Sequence, residues 1–211
     1  MRPRFPLIFA LAISTAVAPL HAADHKIPPP KDASTYASFD AHAAERVVIA
    51  AEPYDTKEKG KIFRVPYVDN NFMPIYIVVT NNGDKPISLD QARIDFISAK
   101  GDKIPAAVPD DVERRMTRIH GPGRGIPLPA PLPPIKSKPK SPNKKIEQDF
   151  SDFEYSAVTV PPHSTRAGFL FYDMQGLGNA PLKGATLNLR DLRDAAGKEL
   201  FYFQIPLDKY L

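Results

Sequence analysis

Residues 74–80 read PIYIVVT and run straight into Asn81-Asn82-Gly83-Asp84. The run is β-branched and aromatic, too short for an ordinary helix, and closed by turn residues. It therefore predicts a strand, and its lack of polar alternation predicts a central one. The cluster after it predicts a tight turn, because Asn-Gly tolerates positive φ. Working outward, the same rhythm recurs. Segments 46–51 (RVVIAA), 61–68 (KIFRVPYV), 87–89, 93–98 (RIDFIS) and 103–108 read as strands before a long interruption. After it come 153–160 (FEYSAVTV), 167–172 (AGFLFY), 185–189 (ATLNL) and 200–205 (LFYFQI). Within 93–98, Ile94, Phe96 and Ser98 share one face, and Arg93, Asp95 and Ile97 share the other. Roughly eight to ten short strands with no βαβ alternation predict an all-β, antiparallel β-sandwich. The core candidates are Phe63, Tyr76, Val78, Phe96, Phe169, Phe171, Leu187, Leu189 and Phe203.

One short helix is expected at 109–119 (PDDVERRMTRI). Acidic residues open it and arginines close it, matching the helix dipole, with Val112, Met116 and Ile119 as its apolar stripe. A second short helix is read in the Ala-rich 34–45.

The N-terminus reads as an export signal. Arg2 and Arg4 precede an uncharged run at 7–18 (LIFALAISTAVA), and small residues follow up to Ala22 and Ala23. That run is too short for a membrane span, which needs roughly 20 apolar residues. The expected organisation is a signal peptide at 1–22, an extended leader at 23–45 containing Pro28-Pro29-Pro30, and a sandwich domain at 46–211 interrupted by a loop at 120–146. The expected location is outside the cytoplasm, periplasmic or extracellular if the host is bacterial, and the mature chain is not transmembrane. The chain has no cysteine, so a packed core rather than disulfides must stabilise it.

Charge is segregated. The chain carries 28 basic and 24 acidic residues. Nine basic residues and no acidic one lie between Arg114 and Ile146, and the rest of the mature chain is net acidic. A uniformly basic nucleic-acid binder is excluded. Pro127, Pro129, Pro131 and Pro133 fall at every second position, which rules out a helix or central strand there. The insertion offers two binding chemistries. Leu128, Pro131, Leu132 and Pro134 belong to a segment suited to polyproline II and an aromatic groove. Lys136, Lys138, Lys140, Lys144 and Lys145 suit an anionic surface, at roughly 1 kcal/mol each beside an anionic membrane.

Two stretches carry a resemblance: 75–89, a strand running into T-N-N-G-D-K-P-I-S-L, and 159–172, where V-P-P-H-S-T-R feeds A-G-F-L-F-Y. They resemble bacterial secreted immunoglobulin-like domains of uncertain function. The resemblance implies an immunoglobulin-like sandwich and export, and it transfers no catalytic residue. The Pro-rich basic insertion lies outside it.

No catalytic motif is present. His163-Ser164 reads as a surface turn, no histidine pair has zinc spacing, and Asp149, Asp152 and Glu154 read as local charge balance for Lys144 and Lys145. No cofactor is expected. The expected function is an exported, envelope-associated binding or structural module. Its partner would be another envelope protein or an anionic surface, met through the basic loop, and not nucleic acid. The alternatives are a hydrolase acting on envelope polymers with a site built from distant loops, and an accessory subunit offering an edge strand near 205–211.

Overall fold

A computed structural model describes residues 25–119 and 143–211. Among these residues the chain is mostly β, with antiparallel sheets and two α-helices. The first sheet has the order β1-β2-β3-β8, formed by β1 (Phe39–His42), β2 (Val47–Pro53), β3 (Phe72–Asn81) and β8 (Ser164–Asp173). The second has the order β10-β9-β5-β6, formed by β5 (Arg93–Ile97), β6 (Lys103–Pro105), β9 (Thr186–Arg190) and β10 (Phe203–Pro206). A two-stranded ribbon pairs β4 (Ile87–Ser88) with β7 (Thr159–Val160).

The run at 74–80 sits where its composition places it. It is the centre of β3, flanked by β2 and β8, and every residue of β3 is buried. Two apolar layers explain why it shows no polar alternation. Ile75, Ile77 and Val79 meet Val47 and Ile49 of β2 and Phe96, Leu187, Leu189, Phe203 and Ile205 of the second sheet in one cluster. Tyr76 and Val78 point the other way, towards Phe169 and Phe171, into a second cluster under residues 54–67 and the helices. All nine core candidates are buried, divided between these layers.

Four expectations need correction. Segment 61–68 is not a strand: it holds a short 3-10 turn at Lys59–Ile62 and then irregular chain. Its alternation is real, since Phe63, Val65 and Tyr67 are all buried. However, the Arg64 and Val65 N–H groups donate to the Asp149 carboxylate rather than to a neighbouring strand, and Pro66 has none to give. Residues 34–45 form no α-helix. A 3-10 turn at Ala33–Thr35 precedes β1, which pairs with β2 from Phe39↔Ala50 to His42↔Val47. Residues 153–160 are not one strand: Phe153 ends a helix, Glu154 makes an isolated parallel bridge to Phe169, and Thr159–Val160 pair with β4. The turn after β3 is held by the Asn81 side chain, which accepts the Gly83 N–H at 2.8 Å, and neither Asn82 nor Gly83 has positive φ.

The expected helix is present as α1 (Pro109–Ile119), with Val112 and Met116 buried. A second, unexpected helix, α2 (Lys144–Phe153), packs against it. The residues between them, 120–142, lie outside the described chain.

Two of the sheet edges, β8 and β10, are covered. On β8, the Tyr155 N–H donates to Phe169 O at 2.9 Å and the Ala107 N–H to Phe171 O at 2.7 Å. On β10, side chains from the N-terminal segment take the edge donors. Asp40 accepts the Gln204 N–H at 2.9 Å, Glu45 accepts the Phe201 N–H at 2.9 Å, and the Ser38 hydroxyl donates to Pro206 O. The His42 ring stacks on Phe203 with centroids 3.9 Å apart. These contacts blunt the β10 edge on which strand addition near 205–211 would depend.

Candidate functional site

The site grows from α2. Its first residue follows Asn143, whose side-chain oxygen accepts the Lys145 N–H at 3.2 Å, an N-cap. Ile146, Asp149, Phe150 and Phe153 recur at helical spacing and are buried. Phe150 stacks on Phe171, with ring centroids 4.5 Å apart, which fixes the helix on the first sheet.

Asp149 is the one charged residue on that buried stripe. It receives the Arg64 N–H at 3.0 and 3.1 Å, the Val65 N–H at 3.2 Å and the Arg64 guanidinium at 3.0 Å. Asp152 takes the other arm of Arg64 at 2.6 Å. The hydrogen bond that the Arg64 guanidinium donates to Asp149 is the largest cause holding the Arg64 pKa above its ordinary value. The Tyr67 hydroxyl is buried beside this pair, and burial, together with the nearby Asp149 charge, pushes its pKa up.

In front of this arrangement lies a cleft of about 560 Å³. Lys57, Lys61, Arg64 and Lys145 line it together with His25, whose Nδ1 lies 2.6 Å from Ile62 O. Lys57 and Asp69 are paired across 2.9 Å within the lining. The other balancing carboxylates, Glu58, Asp149 and Asp152, are not part of the lining, so the wall presents mainly cations. Three segments far apart in sequence converge here, and the third begins where the insertion ends.

Of the binding candidates, Leu128, Pro131, Leu132, Pro134, Lys136, Lys138 and Lys140 lie outside the described residues. Lys144 and Lys145 are corrected: they form the first turn of α2 rather than an irregular basic run, because Asn143 caps that turn and Ile146 anchors it. Asp149 and Asp152 are corrected too, since both pair with Arg64, not with Lys144 or Lys145. Glu154 lies apart, and burial raises its pKa. His163 contacts Asp84 at 3.0 Å while the Ser164 hydroxyl donates to Pro161 O at 2.7 Å, so these neighbours do not bond to each other. Among the described residues, no group of three or more His, Cys, Asp or Glu could hold a metal ion. Likewise, no helix among them is long and apolar enough to cross a membrane. Sequence reasoning missed Lys57, Lys61 and Arg64 entirely; the signal that could have exposed the site is the α2 periodicity, with an aspartate on its apolar face.

No family model, curated protein or solved structure matches the chain.

The cap carries a practical expectation. Asn143→Ala should cost about 1 kcal/mol by loss of the capping bond, read as a lower urea midpoint with an unchanged slope. An excision of the insertion must therefore leave Asn143 in place.

Proposed function

We propose that this chain is an exported, immunoglobulin-like β-sandwich that serves as a binding module at the cell envelope. It engages an anionic partner through the cationic cleft and the basic insertion rooted beside it. The carrying observation is the position of Lys145: it lines the cleft with Lys57, Lys61 and Arg64, and it stands at the foot of the segment that holds Lys136, Lys138 and Lys140. A partner bound by the insertion would meet further positive charge at its root. The apolar run at 7–18 supports export, and the two sheets sharing one core support the sandwich. The proposal contains no catalytic step. The converging carboxylates are occupied by an arginine and two backbone donors, an arrangement that positions a loop rather than one that moves a proton.

The test is a pull-down from envelope extract at low and moderate salt. The baits are the mature protein, a 121–141 excision joined by a short linker, and the double variant Lys57→Glu/Lys61→Glu. The expected result is a partner captured by the mature protein, weakened by salt, and lost with both variants, each of which keeps its thermal transition. Capture that neither variant nor salt diminishes would overturn the proposal, as would no capture at all.

A further inference from the structure

We propose that the outer face of the second sheet carries a binding site for an uncharged oligosaccharide, independent of the cationic cleft. The lining residues of the two clefts do not overlap. The second cleft encloses about 660 Å³. Two aromatic side chains at its rim, Phe201 and Tyr202, are 73% and 56% exposed. Their rings are 6.4 Å apart and inclined by 33°. Adjacent exposed aromatics leave apolar faces in water, and such faces gain by being covered.

The floor decides what covers them. Asp95 pairs with Asn188 across β5 and β9, and Asn188 pairs with Gln204 across β9 and β10. A carboxylate and two carboxamides thus form a row at the strand spacing of about 4.8 Å. Asn188 lines the cleft, Gln204 stands exposed just outside its lining, and Asp95 is taken up by its cations; the two carboxamides suit vicinal hydroxyls, each of which donates and accepts. An apolar protein surface laid on this row would strand its polar atoms.

Charge argues against an anion. Asp95 is nearly buried and already holds Lys103 at 3.2 Å and Arg190 at 3.4 Å, while Arg93 and Asp191 stand 3.3 Å apart. In the lining Lys103 and Arg190 are outnumbered by Asp95, Asp191 and Glu199, so this cleft is net negative where the first is net positive. A ligand rich in hydroxyls, uncharged, and with a C–H face for the rings fits all three features. Pyranose units present that combination: an apolar ring face that packs on an aromatic face, and hydroxyls around the rim.

The experiment is affinity electrophoresis of the mature protein in native gels containing hydroxyethyl cellulose, laminarin or glycol chitin, with dextran sulfate and alginate as charged controls. At least one uncharged polymer should retard the wild type, and added salt should not relieve it. Tyr202→Ala should raise the apparent Kd about tenfold or more, and Tyr202→Phe should retain binding because the ring face remains. Phe201→Ala and Asn188→Ala provide further variants at exposed or half-exposed positions. Lys57→Glu/Lys61→Glu should bind the uncharged polymer like the wild type, which separates this site from the cleft. The proposal is overturned if no uncharged polymer retards the protein. It also falls if retardation survives both Tyr202→Ala and Phe201→Ala, or if only the charged polymers retard and salt abolishes it.

Discussion

Asp149→Ala should melt well below the wild type. The substitution removes the acceptor for the Arg64 and Val65 N–H groups and leaves those donors without a partner at the inner edge of the apolar layer. Each buried donor left unsatisfied costs about 1–3 kcal/mol. Together with the cavity under α2, the expected loss is about 3–5 kcal/mol, or roughly 10 °C for a domain of this size. Asp149→Asn should fall between the two proteins, since its amide oxygen still accepts one N–H while its charge is gone. The loss is expected to reach the cleft as well, because Asp149 holds the backbone from which Arg64 and Tyr67 project. Thermal unfolding followed by circular dichroism measures this directly. A melting point within about a degree of wild type would mean that residues 61–68 hold their course without the carboxylate.

Gly168→Ala tests the covered edge of β8. A Cβ built on Gly168 would stand 2.5 Å from Tyr155 Cα and 2.7 Å from Tyr155 N. These are backbone atoms, so no rotamer change relieves the overlap. The irregular segment covering the edge must move away, which breaks the Tyr155 N–H bond to Phe169 O. The expected cost is about 3 kcal/mol, at the upper end of ordinary overpacking. Amide exchange at Tyr155 should accelerate more than at the centre of β3. Gly60→Ala is the control, since its Cβ would meet only Val68 Cγ2 at 4.0 Å, and it should change stability by less than about 1 kcal/mol. Equal effects from the two substitutions would show that Gly168 is not placed by this close approach.

Where hydrophobic period and hydrogen-bonding partner agree, the sequence is legible. β3 and β8 are read directly from their runs, and α1 from its charge order and apolar stripe. Where they part, it misleads. Phe63, Val65 and Tyr67 alternate like a strand because alternate side chains enter one core, yet the N–H groups of Arg64 and Val65 go to a carboxylate on a helix. Helix α2 was readable in principle, since Asn143 and the spacing of Ile146, Phe150 and Phe153 are local signals. The adjoining basic run concealed them by suggesting a single irregular segment. Strand β1 was not readable from FDAH alone, because its place depends on partners far along the chain. The cleft shares that difficulty: His25, Lys57, Lys61 and Lys145 approach one another only through long-range packing. Lys144 and Lys145 drew notice through local charge density, which identifies a basic residue but not the wall it belongs to.

The clasp between β1 and β10 also bears on how the molecule comes into being. Asp40 reaches Gln204 across 164 positions, and Glu45 reaches Phe201 across 156. A chain delivered N-terminus first has β1, β2 and β3 long before the strand that β1 must hold. Through that interval Asp40 and Glu45 have no backbone donors to accept, and the inner faces of Val47, Ile49 and Ile77 have no second sheet to cover them. Contacts of such separation form late and set the pace of folding. The final step is therefore a latch rather than a nucleus, and a half-delivered chain needs shelter from its neighbours until the last strand arrives.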